Sequence, residues 1–133
     1  MTFATSGVDV IGDGFITELK STQSAEPARF SRLALNMHYH AQMVLYRQGA
    51  MELGLVAPAA DLFIVAVESK PPFPVSVLRL TQPVIDLAAK TLALWCERLR
   101  TCEENDHWPG YSSAVIDMDL PAWMYDADDA EDE

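Results

Sequence analysis

The chain has 133 residues, half of them hydrophobic, and a net charge of −11. That size fits one domain with a single core, and by composition the body reads as globular rather than disordered. The longest unbroken apolar run, Leu62 to Val67, is far too short to cross a bilayer, and a surplus of acid disfavours sequence-independent binding to nucleic acid, where cations on phosphate supply the affinity.

Val8 to Ile11 reads as a short strand. Gly12-Asp13-Gly14 is a turn signal, and Phe15 to Lys20 reads as a second strand. From Ala28 to about Gly49 apolar residues recur at spacings of three and four, which predicts one helix. Asp61 to Glu68 is a nearly continuous apolar run, as in a buried central strand. Lys70-Pro71-Pro72 breaks the chain, and Phe73 to Leu80 alternates as another strand. Thr81 can cap a long helix from Gln82 to about Glu104. A loop with His107-Trp108-Pro109-Gly110-Tyr111 follows, then Leu120-Pro121-Ala122-Trp123. The order strand-strand-helix-strand-strand-helix predicts an α/β fold: a mixed sheet flanked by helices, with a long crossover after the first hairpin.

Six of the twenty acids lie in the last eight residues, and without them the balance falls to −5. Residues 125–133 are expected to be a solvated, disordered tail, with 1–124 as the folded part. No basic start followed by an apolar stretch marks a secretory signal, so a soluble, cytoplasmic protein is expected. Cys96 and Cys102 are spaced for neither a CxxC redox motif nor a zinc pair. Two cysteines are too few for a four-cysteine iron–sulfur cluster.

The first hairpin carries the chemistry. If Asp13-Gly14 is a two-residue type I′ turn, Gly12 pairs with Phe15, Ile11 with Ile16, Val10 with Thr17 and Asp9 with Glu18. Opposed residues share a sheet face, and Lys20, two beyond Glu18, shares it too. Two opposed carboxylates repel, and a magnesium ion, which takes one or two carboxylates plus water and phosphate, would remove the penalty. The lysine can then act on the attacking water and on charge developing at phosphorus. A three-residue turn would instead set Asp9 opposite Thr17 and scatter the cluster. The same residues also fit a solvated hairpin in which Glu18 and Lys20 neutralise each other. Farther on, His38, Gln42 and Tyr46 are spaced by four and form one helical stripe. A buried Gln and Tyr there need hydrogen-bond partners.

Asp9, then Glu18-Leu19-Lys20, then Gln42-Met43-Val44-Leu45-Tyr46 resembles the PD-(D/E)XK signature followed by a QxxxY motif. That ordered set is similar to the exonuclease branch related to RecB, lambda exonuclease and RecE. Tyr39-His40-Ala41-Gln42, Phe63 to Glu68, Cys102 with Trp108-Pro109-Gly110-Tyr111, and Leu120 to Trp123 resemble the RecE-like, exodeoxyribonuclease VIII type in particular. The resemblance spans roughly Gly7 to Trp123. It implies a restriction-endonuclease-like core in which Asp9 and Glu18 ligate magnesium or manganese and the Leu19 carbonyl adds an oxygen. Lys20 would act on the nucleophilic water, with Gln42 and Tyr46 beside it. It further implies digestion of linear double-stranded DNA from an end, a single-strand annealing protein as partner, self-association, and a bacterial or phage source.

The pattern departs from the family at its start. Members carry a helical segment with a further acidic residue, sometimes a histidine, before the first aspartate. Here Met1 to Val8 contains neither Asp, Glu nor His, and Val8 replaces the usual proline. Two function classes therefore stand: a DNA exonuclease core, and an incomplete or non-catalytic relative serving as an interaction module. Metal binding that depends on Glu18 separates them. A third, a DNA mimic, would need an exposed carboxylate array, which the pairing of Glu18 with Lys20 argues against.

Overall fold

A computed structural model of the chain describes residues 7–121 and 124. The elements are β1 (Val10–Gly12), β2 (Phe15–Thr22), α1 (Pro27–Asn36), α2 (Tyr39–Glu52), β3 (Asp61–Glu68), β4 (Val75–Arg79) and α3 (Gln82–Asn105). They fall into two compact units, Met1–Arg98 and Leu99–Glu133.

The first unit holds a four-stranded sheet in the order β1-β2-β3-β4. β1 and β2 are antiparallel, β2 and β3 parallel, β3 and β4 antiparallel. The fold is thus the expected α/β architecture with a mixed sheet. Parallel neighbours need a long crossover, and α1 and α2 supply it. The hairpin register is Gly12 with Phe15, Ile11 with Ile16 and Val10 with Thr17, as a two-residue turn requires. The turn itself is not type I′. That type needs positive φ at both central residues, and here only Gly14 has it, at 81°.

The core lies on one face of the sheet. Ile16, Leu62, Ile64 and Ala66 point into it from the strands, and Phe30, Ala34, Met43, Val44, Ile85 and Ala88 from the helices. Each large side chain fully buried there contributes about 1.5–3 kcal/mol. β3 is central, as its apolar run predicts, but it is buried on one face only. Leu62, Ile64 and Ala66 are buried while Phe63, Val65 and Val67 are half-buried, with Phe63 edge-on to Phe15. Leu19 and Val77 on that second face are 58% and 65% exposed.

The single helix expected from Ala28 to Gly49 is two. Glu26 caps α1, accepting from the backbone N–H groups of Ala28 at 3.1 Å and Arg29 at 2.7 Å, and Pro27 opens the first turn. α1 ends at Asn36, and His38 turns left-handed, with φ 56° and ψ 29°. Histidine enters that region more readily than most side chains. Its carbonyl then accepts from Ala41 and Gln42 to start α2. Apolar spacing runs on through the break, although Leu33 and Met37 in that series are 41% and 55% exposed.

His40 follows the break and is buried at 4% exposure, with Nδ1 unpaired. Burial, and next the neighbouring His38, push its pKa below the ordinary histidine value, and a backbone hydrogen bond at Ala34 opposes them. A folded-state pKa below the unfolded one means that the unfolded chain takes up the proton first. Stability is then full above the unfolded pKa and falls as pH drops below about 6.5, by at most about 1.4 kcal/mol per pH unit. Urea denaturation between pH 5 and 7.5 is expected to show this fall, and His40→Gln to flatten it. An unchanged slope in the variant would remove His40 as its source.

In the second unit α3 ends near Asn105, where Asp106 has φ 47° and His107 N–H bonds the Cys102 carbonyl. The Trp108–Tyr111 stretch is loop, as expected. Ala122, Trp123 and the acidic run from 125 to 133 lie outside the described residues. Cys96 and Cys102 are free thiols. Among the described residues no helix is long and apolar enough to cross a membrane.

Candidate active site

β2 alternates sides, so Ile16, Glu18, Lys20 and Thr22 face the helices and carry the strand from the core out to a polar patch. Glu18 is buried at 6% exposure. A buried carboxylate costs several kcal/mol unless paired and hydrogen-bonded, and the surroundings provide both. Lys20 Nζ donates to Glu18 Oε1 at 2.8 Å and to Gln42 Oε1 at 3.0 Å. Gln42 Nε2 donates to the Tyr46 hydroxyl oxygen at 2.7 Å and approaches Glu18 Oε1 at 3.4 Å. The Lys20 ammonium also sits 4.7 Å from the centre of the Tyr39 ring, within cation–π range.

Four of the five residues singled out from sequence, Glu18, Lys20, Gln42 and Tyr46, thus form one hydrogen-bonded group between β2 and α2. Asp9 joins it differently. β1 begins only at Val10, so Asp9 lies just outside the ladder. Its Oδ2 accepts the Leu19 backbone N–H at 2.7 Å, which anchors the carboxylate one residue from Glu18 at the edge of β2. The N–H and C=O of one strand residue point to the same side, so the Leu19 carbonyl faces that edge as well.

His38 is not part of the stripe. As the left-handed residue before α2 it packs edge-on against Trp95, with ring centres 4.9 Å apart. Tyr39 takes its place: with α2 starting there, Tyr39, Gln42 and Tyr46 fall at spacings of three and four on one helix face. The sequence signal for Tyr39 was that same spacing, hidden by extending the helix through His38.

The group contains one unexplained atom. Glu18 Oε2 is buried and has no hydrogen-bond partner among the described residues. An isolated acceptor of this kind is costly, and it is what a carboxylate shared between an ammonium and a cation would present. The fit to a hard divalent ion is sound in donor type: carboxylate oxygens from Asp9 and Glu18 and a carbonyl oxygen from Leu19. It is sparse in number, since no three of His, Cys, Asp and Glu gather as a metal cage among the described residues. Magnesium accepts such a set, because it keeps waters and binds substrate phosphate as well.

One family model matches most of the chain. It describes a PDDEXK-like domain of unknown function (DUF3799) and matches residues 6–118. The chain belongs to this family. As a PDDEXK-like domain it has a nuclease-type fold, and PDDEXK nucleases generally work with divalent metals. The match takes in β1 to α3 and the loop beyond, so the whole Glu18–Lys20–Gln42–Tyr46 group lies inside it. No curated protein matches the chain.

Proposed function

We propose that this PDDEXK-like domain is a magnesium- or manganese-dependent exonuclease core that hydrolyses phosphodiester bonds of linear double-stranded DNA, of the RecE-like recombination type. The observation that carries this reading is Glu18: buried, bonded through one oxygen to Lys20, with the other oxygen left for a ligand. In it, Asp9, Glu18 and the Leu19 carbonyl hold the metal. The bound ion would polarise a phosphoryl oxygen and lower the pKa of a water. Lys20 lies beside that place, with its charge partly balanced by Glu18 and its direction fixed by Gln42. It holds the attacking water and stabilises negative charge as it develops on the phosphate. Tyr46 and Tyr39 fix Gln42 and Lys20 in turn. A single-strand annealing protein as partner and association between copies belong to the same reading.

Linear duplex DNA incubated with the purified chain should be lost with magnesium or manganese, and survive with chelator or with Lys20→Ala. Covalently closed circles should survive throughout. Persistence of linear DNA with a folded chain and both metals would sink independent catalysis. It would favour the second reading, a non-catalytic interaction module, which the sparse ligand set supports.

Gln42 is a positioning residue here. Gln42→Leu removes the acceptor on Lys20 and the donor on Tyr46, and is expected to lower kcat about 10–100-fold, the range for groups that orient a metal site. KM should change little. A rise in KM at constant kcat would instead make Gln42 a DNA-binding group.

A further inference from the structure

Beyond Lys20 the strand runs out into an open cavity of about 450 Å³, with Phe30 and Leu33 as its apolar wall. Ser21, Gln23 and Ser24 line it from the end of β2, Ser69 from the end of β3, and Arg29 from α1. β2 and β3 are parallel, so the cavity sits at their shared carboxyl end, where open α/β sheets bind ligands. It begins one residue past Lys20, about 3.3 Å along the strand.

The charges around it are arranged unlike those of the chain as a whole. Arg29 and Arg32 are exposed on α1, and Lys70 follows Ser69. The two nearby acids keep their charge but are tied to the backbone, and Glu26 also feels the positive charges of Arg32 and Arg29. Glu26 accepts from the backbone of Ala28 and Arg29, and Glu68 Oε1 accepts from the Ala25 N–H at 2.8 Å. No described carboxylate forms an ion pair with Arg29. Among the described residues Arg29 is thus the one cation that lines the hollow, and Arg29, Arg32 and Lys70 outnumber Glu26 and Glu68 around it by a single charge.

We propose that this cavity holds an internal backbone phosphate of the DNA strand, adjacent to the one at Glu18 and Lys20, with Arg29 as its cation and Ser24 and Ser69 as hydroxyl donors. This rests on the nuclease reading above and gives it a substrate contact. Arg29 matches phosphate with a planar fork of donors. Serine hydroxyls and backbone groups are the usual companions in phosphate contacts, which fix register without reading sequence. The contact also answers the charge problem, because it concentrates the few available cations along the path of the strand.

The test is anisotropy of a fluorescent 20-base-pair duplex without 5′ phosphates, with calcium in place of magnesium, across a salt series. Arg29→Ala should weaken binding about 5–10-fold and reduce the slope of log affinity against log salt by about one. Ser69→Ala should weaken it less, and Arg29→Lys should restore most of the slope. Unchanged affinity and slope in Arg29→Ala would overturn the proposal. So would displacement of the duplex by inorganic phosphate at comparable concentration, which would assign the cavity to a free anion. Manganese binding to the same proteins, measured without DNA, keeps the two readings apart. Loss of manganese binding in the parent chain with Arg29-dependent DNA affinity intact sinks catalysis and leaves the cavity. Normal manganese binding with Arg29-independent affinity does the reverse.

Discussion

Glu18→Gln is expected to abolish metal-dependent DNA cleavage while the chain stays folded. The substitution keeps the shape of the side chain and an oxygen for Lys20 Nζ, now 2.8 Å away. It replaces the unpartnered Oε2 by an amide that cannot ligate a hard cation as a carboxylate does. Loss of an outer-shell partner of a metal already costs 10–100-fold, so loss of a direct ligand should exceed about a hundredfold. Single-turnover digestion reads the rate, and calorimetric titration with manganese reads the binding. Thermal unfolding without metal should move little, since a buried charge disappears along with its attraction to Lys20. Wild-type cleavage by Glu18→Gln would remove Glu18 from the chemistry and with it the reading built on this site.

The second large effect is on stability and depends on metal. Lys20→Ala removes the ammonium that faces Glu18, whose side chain is only 8% exposed. Breaking a buried pair from one side costs about 3–5 kcal/mol when the remaining charge is trapped. Lys20 itself is 19% exposed, so water can replace part of its contact with Glu18, and about 1–3 kcal/mol is the expected loss near neutral pH. Saturating magnesium should recover much of it, because a cation at Glu18 does electrostatically what the ammonium did. Cleavage should not return with it, since charge stabilisation by a positioned donor is worth about 100–1,000-fold in rate. Urea denaturation with and without magnesium distinguishes these effects. A loss of stability identical under both conditions would mean that lysine and metal do not share the carboxylate.

Much of this arrangement was legible from the chain because it is local. Asp13-Gly14 set the hairpin register, and the alternation of β2 put Glu18 and Lys20 on one face. Asp61 to Glu68 announced β3 to the residue, because an apolar run bounded by polar ends has little freedom to shift. The breaks that matter were less visible. Nothing in the spacing of Phe30, Leu33, Ala34, Met37 and Ala41 shows that the backbone reverses hand at His38, since residue type alone does not tell the buried Phe30, Ala34 and Ala41 from the exposed Leu33 and Met37. That one residue decided whether His38 or Tyr39 stood with Gln42 and Tyr46. Asp9 was expected directly opposite Glu18, but β1 starts only at Val10 and Asp9 accepts the Leu19 N–H from outside the ladder, and strand ends are weakly encoded. The half-buried outer face of β3 was hidden for another reason: residue type records what a surface prefers, and Phe63, Val65 and Val67 are apolar whichever face is covered.

The parallel pairing of β2 with β3 also bears on how the site comes into being. Every rung of that ladder joins residues separated by the whole of α1 and α2, so its formation must first close a long loop, which slows folding relative to local contacts. The β1–β2 hairpin can form early by itself, yet an isolated hairpin is at best marginally stable. It would carry Asp9, Glu18 and Lys20 without Gln42 to aim the lysine. The Glu18–Lys20–Gln42 group is therefore assembled late, when α2 docks and β3 closes the sheet.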